Sequence, residues 1–271
     1  MALARILFFL MLGYAFLVVM VYFGQRYLQY APDRGYPGKP ADNDAGNMQE
    51  LRVRTEDGLG LLAWFAPPRN KDGKVIILYH GNAGHIGHRA AKMQQFIRRG
   101  YGVYLCEYRG YGGNRGSISE DGLYKDARSA LKWLEANGYP PSQWIFYGES
   151  LGSGPAVQMA VEFQPKILIL ESAFSSALDV AREVYPWLPV TYLMKDKFDN
   201  LSKIKSIRSS LMMIHGDEDP VIPPQLAQKL YDAANHPKEL VMIDGGHHND
   251  LYEHFAGSII LEWLETQNEP R

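Results

Sequence analysis

Short apolar runs that alternate with helix-like stretches constrain the fold of this chain more than any other feature. Each run has the length of a strand and is apolar almost throughout, which is typical of strands buried on both faces. The runs lie at Lys74–Tyr79, Gly102–Cys106, Trp144–Tyr147, Ile167–Leu170, Leu211–Ile214 and Glu239–Ile243. The helix-like stretches lie at Arg89–Arg99, Gly122–Asn137, Gly152–Phe163, Gln225–Ala234 and Phe255–Gln267. This alternation predicts an α/β fold with a mostly parallel central sheet and helices on both faces, with functional groups beyond the carboxyl ends of the strands.

A hairpin is predicted ahead of the parallel strands. Glu50–Thr55 alternates polar and apolar residues, as a half-buried strand does, and Asp57-Gly58 supplies a turn before the apolar stretch Leu61–Phe65. An alternating strand has one face in solvent, so we expect this hairpin at an edge of the sheet.

The first apolar run of the chain is long enough to cross a membrane. Ile6–Gly24 has no charged side chain, and a helix of that length rises by about 28 Å, close to the thickness of a hydrocarbon core. No small-residue cleavage site follows it, which favours an uncleaved anchor over a secretory signal. Tyr27 and Tyr30 lie just past the run, where aromatic side chains meet a membrane surface. We therefore expect residues 1–27 to form a single-pass N-terminal membrane anchor.

The anchor leads into the rest of the chain through a predicted linker. Residues 28–47 are assigned to it because Ala31–Asn47 is rich in Pro, Gly and Asp. Residues 48–271 then form a single catalytic domain of ordinary size. Positive residues flank the anchor on both sides, so the side of the membrane on which this domain lies stays open.

Charge and cysteine content exclude several classes of function. The formal net charge of −2 gives no basic field for nucleic acid, so we expect no nucleic-acid partner. With one cysteine, Cys106, the chain has neither an internal disulfide nor a thiolate metal site. Cys106 ends an apolar run and is expected to be a small buried core residue.

The strongest chemical signal is a G-x-S-x-G motif at Gly148–Gly152. It follows the apolar run that ends at Tyr147 and precedes a helix-like stretch, which is the strand–turn–helix context that exposes a nucleophilic serine. The glycines allow the tight turn, because a Cβ there would clash. This context predicts Ser150 as the nucleophile and the backbone N–H of Leu151 as one donor to a developing oxyanion.

The loop after the strand Lys74–Tyr79 is predicted to supply the second oxyanion donor. By position this is the backbone N–H of Asn82. His80 precedes a glycine at the strand end and is interpreted as a structural hydrogen-bonding residue. With no cysteine or carboxylate at a useful spacing, His85 and His88 are interpreted as rim residues, and we expect no metal site.

A serine nucleophile needs a histidine base and an acid that orients it, in the chain order serine, acid, histidine for this type of elbow. Three carboxylates, Asp217, Glu218 and Asp219, follow the strand Leu211–Ile214. Two adjacent histidines, His247 and His248, follow the last strand. Their side chains point in different directions, so only one of them can reach the serine. The residues alone leave both choices open.

Residues 174–201 interrupt the alternation of strands and helices. The stretch Tyr185-Pro-Trp-Leu-Pro cannot continue a regular helix, which predicts a small cap inserted between two strands. Tyr185, Trp187 and Leu188 offer an apolar surface that suits an acyl chain, and they are our candidate substrate-binding residues. The alternative is that they only pack the cap onto the sheet.

From about Met48 to Leu264 the chain resembles the alpha/beta-hydrolase superfamily. The segments His80-Gly-Asn-Ala-Gly, Tyr108-Arg-Gly-Tyr-Gly and Gly148-Glu-Ser-Leu-Gly are similar to its single-pass, membrane-tethered branch, which includes the ABHD-type lipid and acyl-protein hydrolases. The stretch Gly116–Ala127 adds to this resemblance. The chain departs from the eukaryotic palmitoyl-thioesterase pattern by carrying an apolar N-terminal helix instead of a cysteine cluster.

The resemblance implies a residue for each open role. The stretch H-G-x-x-D-x-V-I-P is similar to the acid loop of the superfamily, whose last Asp is the acid, which implies Asp219 with Asp217 as the runner-up. His-Asn-Asp is similar to the pattern around the family base, which implies His248. The implied reaction is hydrolysis of a carboxylic ester or thioester through an acyl-enzyme, without a cofactor, and protein depalmitoylation is one candidate.

Two other functions compete with this interpretation. A serine aminopeptidase shares the fold and residue order, and it needs a carboxylate, such as Glu149 or Glu171, that faces the pocket and binds the substrate amine. A non-catalytic tethered binding module is disfavoured because nucleophile, acid and base are all present. The serine at the elbow argues against hydrolases that use an aspartate nucleophile.

Overall fold

The computed structural model describes residues 1–267, and its centre is an eight-stranded sheet in the order β1-β2-β4-β3-β5-β6-β7-β8. The strands are β1 (Gln49–Arg54), β2 (Gly60–Ala66), β3 (Val75–Tyr79), β4 (Gly102–Cys106), β5 (Trp144–Glu149), β6 (Ile167–Glu171), β7 (Ser210–Gly216) and β8 (Lys238–Ile243). From β4 to β8 all pairings are parallel. The fold class predicted from the alternation is confirmed. Residues 268–271, the end of the expected catalytic domain, lie outside the described residues.

Helices cover both faces of the sheet. They are α1 (Ala2–Gln29), α2 (Gly87–Arg98), α3 (Glu120–Ala136), α4 (Ser153–Phe163), α5 (Ala177–Val184), α6 (Val190–Leu193), α7 (Asn200–Ile204), α8 (Pro224–Ala233) and α9 (Ala256–Thr266). One core packs α3, α4 and α8 against the sheet, and the other packs α2 and α9 against the opposite face. Successive residues of β3 alternate between the two cores, which explains why the strand is apolar throughout.

The hairpin of β1 and β2 lies at one edge of the sheet, as predicted. β1 is the outermost strand and pairs antiparallel with β2, which itself pairs antiparallel with β4. The turn is closed by hydrogen bonds from the N–H of Gly58 to Thr55 and from the N–H of Thr55 to Leu59.

The N-terminal apolar run forms the long helix α1. Within residues 1–267 it is the one helix long and apolar enough to cross a membrane. Its most apolar window of 18 residues has a mean hydropathy of 2.6, and none of that window is buried by the rest of the protein. The helix extends two residues past residue 27. The following segment is largely irregular, with a short 3₁₀ turn at Pro40–Asn43, and its residues Tyr30, Ala45 and Met48 are buried against the domain.

The cap, residues 174–201, lies between β6 and β7. It contains α5 and α6, and α7 begins at its end. Helix α5 ends at Val184, just ahead of Tyr185-Pro186, because the residue before a proline is driven out of the helical conformation.

Candidate active site

Ser150 lies at a sharp turn between β5 and α4. Its backbone has a positive φ of 50°, which is strained for a residue with a Cβ. The turn is also crowded: a Cβ on Gly152 would lie 1.9 Å from the carbonyl oxygen of Tyr79, and one on Gly148 would lie 2.7 Å from the Cα of Ser153. The two glycines of the motif are therefore required by the close approach of β3 and α4.

The side chains of Ser150, His248 and Asp219 form a continuous hydrogen-bonded chain. Ser150 Oγ lies 2.9 Å from Nε2 of His248, and Nδ1 of the same ring lies 2.7 Å from Oδ2 of Asp219. Because the carboxylate accepts from Nδ1–H, Nε2 is left without a proton and accepts the serine O–H. The structure thus brings together the three residues to which the sequence and the family resemblance gave the roles of nucleophile, base and acid.

Asp219 is buried and held in its ionised form. Burial opposes ionisation, but hydrogen bonds from His248 and from the backbone N–H groups of Val221 and Ile222 outweigh it and keep the pKa of this carboxyl below its ordinary value. His215 adds a second imidazole beside Asp219, with Nε2 at 3.3 Å from Oδ2. Burial lowers the pKa of His215, so this ring is neutral at neutral pH.

The alternatives for acid and base have other contacts. Asp217 accepts the backbone N–H of Gly245 and is exposed, so it closes the loop next to the site. His247 is exposed, and its Nδ1 lies 3.2 Å from Asp250. Asp250 also accepts the backbone N–H of His247, and thereby shapes the loop that carries His248.

Leu151 and Asn82 line the same pocket as Ser150. The Asn82 side chain is fully engaged: Oδ1 accepts from the hydroxyl of Tyr111 and the N–H of Ala31, and Nδ2 donates to the carbonyl of Gln29. These contacts fix the loop and connect it to the C-terminal end of α1. That the backbone N–H of Asn82 serves as an oxyanion donor stays a prediction.

The pocket next to Ser150 has a volume of about 640 Å³ and a mostly apolar lining. Tyr185, Trp187 and Leu188, the candidate substrate-binding residues, all belong to this lining. The cap also contributes Phe174, Val180, Val184, Val190, Leu193 and Met194. Pockets of this size and composition commonly hold an apolar ligand with a few polar contacts.

A largely buried ion network lies beside the elbow, and two of its members, Arg89 and Glu149, also line the pocket of Ser150. Glu149 accepts hydrogen bonds from Arg89 at 2.7 Å and from Lys92 at 2.5 Å, and Lys92 also pairs with Glu171 at 3.0 Å. Burial opposes the charge of Glu149, but the two cations outweigh it and hold its pKa well below the ordinary value. Glu171 is further bonded by the hydroxyl of Tyr147. Both carboxylates are therefore already paired with cations of the protein.

The histidines of the β3–α2 loop have structural contacts. His80 is buried, with Nε2 at 2.9 Å from Glu107, which confirms its interpretation as a hydrogen-bonding residue. His88 is exposed, but His85 is buried, so the prediction that both are rim residues is wrong for His85. No carboxylate is close to these two histidines along the chain, whereas the fold brings Asp33 within 3.7 Å of His85.

Asp33, His85 and His88 form a group whose ligand atoms lie within 4.8 Å of one another, a spacing at which a metal ion can be held. The two rings stack with their centroids 4.0 Å apart and an interplanar angle of 17°. In such a stack the lone pairs of the rings run nearly parallel, whereas metal ligands must converge on one point. A shared metal would require the rings to reorient.

Sequence reasoning missed four pocket residues on α1. Val21, Gln25, Leu28 and Gln29 line the cavity that contains Ser150. The helix is apolar on all sides for most of its length, so its periodicity does not mark the face that meets the domain. Gln25 and Gln29, one turn apart after the end of the apolar run, were the available signal.

Comparison with known proteins identifies the family. A human protein, alpha/beta hydrolase domain-containing protein 17B, is 31% identical over 205 residues, which cover 73% of this chain and 68% of that protein. The chain belongs to the alpha/beta-hydrolase superfamily. An uncharacterized protein of Mycobacterium tuberculosis is 36% identical over 247 residues, which cover 90% of this chain and 87% of its relative.

Two further comparisons agree with this alpha/beta-hydrolase assignment. The profile of the family described as serine aminopeptidase, S33, matches residues 70–203. The structure of an esterase from Pyrococcus furiosus superposes with a TM-score of 0.70 at 20% identity, over 88% of this chain and 97% of the esterase, and shares the fold. The protein is thus a hydrolase by family, and its ABHD-like branch agrees with the motifs read from the sequence.

Proposed function

We propose that this alpha/beta hydrolase is a membrane-anchored serine hydrolase that cleaves carboxylic ester or thioester bonds of acyl substrates through an acyl-enzyme. The observation that carries the proposal is the hydrogen-bonded chain of Ser150, His248 and Asp219, whose Ser150 and His248 line an apolar pocket of about 640 Å³. A relay of this kind activates a serine, and the pocket suits an acyl chain.

The reaction follows from the contacts. His248 takes the proton of Ser150 as Oγ attacks the acyl carbonyl carbon, and the N–H groups of Leu151 and Asn82 stabilise the negative oxygen. Collapse of this intermediate breaks the ester or thioester bond, and His248 gives its proton to the departing alcohol or thiol. Water then attacks the acyl-enzyme by the same route, which releases the acid and restores Ser150.

The cap side chains Tyr185, Trp187 and Leu188 are proposed to contact the acyl chain. The anchor is proposed to be α1, whose apolar run exceeds 18 residues without a charge. The pairing of Glu149 and Glu171 with Lys92 weakens the aminopeptidase alternative, because neither carboxylate is free to bind a substrate amine. Protein depalmitoylation is the thioester case of the proposed reaction.

The proposal is tested with full-length protein in detergent. Three kinds of substrate are compared: p-nitrophenyl esters from acetate to palmitate, an S-palmitoylated peptide, and leucine p-nitroanilide. We expect ester or thioester turnover with a preference for longer chains, and loss of this turnover in Ser150→Ala. Asp219→Asn is expected to lower kcat by about 10²–10⁴-fold, because the histidine then adopts the wrong tautomer, while the control Asp217→Asn retains activity. Turnover of the anilide alone would favour the peptidase, and turnover of none of the substrates would contradict the proposal.

A further inference from the structure

Helix α1 contributes a wall to the pocket of Ser150. Val21, Gln25 and Leu28 line the pocket at a spacing of four and three residues, so they share one face of the helix. The opposite face is open: Phe16, Met20 and Phe23 are each more than half exposed. One side of the same helix thus faces the pocket while the other presents apolar side chains to the surroundings.

The last two turns of α1 are joined to the cap by polar groups. Arg26 pairs with Asp196 at 2.7 Å, and Gln25 accepts the N–H of Lys195 and donates to the carbonyl of Leu193. The Lys195 ammonium lies over the ring of Tyr22, 4.2 Å from its centroid. Charged and amide groups therefore cluster beside residues 22–29, as they do at the headgroup level of a membrane.

A second contact joins the cap to α1 at a deeper level. The hydroxyl of Tyr14 donates to the backbone carbonyl of Trp187 at 2.9 Å. Tyr14 lies near the middle of the apolar run Ile6–Gly24, about 15 Å along the helix axis from Gly24. The tip of the cap therefore lies beside the apolar middle of α1. A carbonyl at that depth in lipid needs a protein donor, and Tyr14 supplies one.

The mouth of the pocket is marked by residues that line the cavity and are exposed as well. Besides Ala83 and Asn249, these are Leu28 at 68% exposure, Val184 at 52%, Tyr185 at 41%, Trp187 at 55% and Val221 at 48%. Six of the seven are apolar or aromatic, and Asn249 is the polar one. An apolar mouth next to a helix of membrane-spanning character matches a lipid layer better than water.

We propose that the acyl chain reaches Ser150 from within the bilayer, through the mouth between α1 and the cap, and that the cap tip around Trp187 lies in the lipid layer. The inference rests on the proposed function and adds to it the class of substrate: an ester or thioester whose acyl chain already lies in the membrane. Helix α1 then both anchors the domain and forms one side of the acyl-binding site.

The first test narrows the mouth and compares a substrate in the membrane with one in water. Full-length protein is reconstituted in phosphatidylcholine vesicles that also contain 1-palmitoyl glycerol or an S-palmitoylated peptide. The measured quantity is the rate of hydrolysis of this palmitoyl substrate divided by the rate of hydrolysis of soluble p-nitrophenyl acetate. Leu28→Trp, or Val21→Trp in the same wall, is expected to lower this ratio by about tenfold, because the larger ring fills the path of the acyl chain. Tyr27→Trp is the matched control: Tyr27 is 83% exposed, lies outside the pocket lining and should leave the ratio unchanged.

The two palmitoyl substrates separate a lipid source from an acyl-protein source, and a lower ratio with either one supports the proposal. A wild-type enzyme that hydrolyses the substrates while both wall variants keep its ratio would overturn the inference and leave the proposed function standing. A wild type without activity on any of the three would overturn both.

The second test measures depth. Fluorescence is recorded in vesicles whose phospholipids carry bromine at mid-chain, for wild type and Trp187→Phe. We expect the bromines to quench the fluorescence of the wild type and to quench that of the variant much less. The reason is that, if the cap tip lies in the lipid, Trp187 is the tryptophan closest to the bromines. Equal quenching of the two proteins would place Trp187 outside the lipid and overturn the proposal.

Discussion

At the scale of single residues, the environment of Asp219 depends on a second buried imidazole. His215 is 1% exposed, its Nε2 contacts the carbonyl of Ile222 at 3.0 Å, and its Nδ1 has no partner among the described residues. Burial lowers the pKa of His215 from its ordinary value of 6.5, and the nearby His248 lowers it further, against the opposing effects of Ile222 and Asp219. Because His215 is neutral, it does not form an ion pair with the Asp219 carboxylate, which remains available to His248.

This shift predicts a pH dependence of stability. Because the folded pKa of His215 is lowered, the unfolded chain takes up a proton more readily as the pH falls below about 6.5, so the stability of the fold decreases there. His215→Gln removes this contribution and should make the melting temperature fall less steeply between pH 7.5 and 5. Part of the pH dependence of the melting temperature should remain in this variant, because burial also lowers the pKa of His88. Melting curves across this range check the prediction, and an unchanged slope in the variant would contradict it.

At the scale of elements, the turn between β5 and α4 presents Ser150 because β3 and α4 approach it so closely. Gly152→Ala would bring a Cβ to 1.9 Å from the backbone oxygen of Tyr79, which no side-chain rotation relieves. We expect a loss of about 3 kcal/mol or more in the free energy of unfolding, together with loss of activity.

Gly60→Ala is the matched control for this substitution. Gly60 lies in β2, and no atom lies within 4 Å of the position that its Cβ would take. Denaturant unfolding of the two variants beside the wild type measures the difference. A Gly152→Ala protein as stable and active as the Gly60→Ala protein would show that the turn tolerates a side chain, against this account.

The loops of Asp219 and His248 are brought together by the pairing of β7 and β8. Gly216 pairs with Ile243 at the carboxyl ends of these strands, and a Cβ on Gly216 would lie 2.1 Å from the carbonyl oxygen of Gly246. Residues 29 positions apart in the sequence thereby form a hydrogen bond of 2.7 Å. Neighbouring parallel strands explain why motifs at separate strand ends converge on one site.

At the scale of the whole molecule, the sequence predicted the fold well because nearly every strand and helix carries its own local pattern. Strand runs and the strand–turn–helix context of Ser150 depend on neighbours in the chain. The choice of Asp219 and His248 needed more than local pattern: Asp217 and His247 have the same chemistry, and their positions were separated only by family resemblance until the contacts were known.

The contacts of α1 and of the segment after it could not be predicted. Tyr14 bonds Trp187 across 173 positions, and Arg26 pairs with Asp196 across 170. A helix that is apolar on all sides has no periodicity to indicate which face a cap will meet. The burial of His85 beside Asp33 was missed for the same reason, because the irregular segment after α1 folds back onto the β3–α2 loop.

The central claim is that Ser150 is a nucleophile activated by His248, and covalent labelling tests it most directly. The full-length protein is treated with a fluorophosphonate probe, and the modified residue is located by mass spectrometry. We expect labelling at Ser150, none in Ser150→Ala, and slower labelling by about 10²-fold or more in His248→Ala, with a wild-type rate in the control His247→Ala. Absence of labelling in a folded wild-type protein, or equal rates in His248→Ala and His247→Ala, would contradict the account.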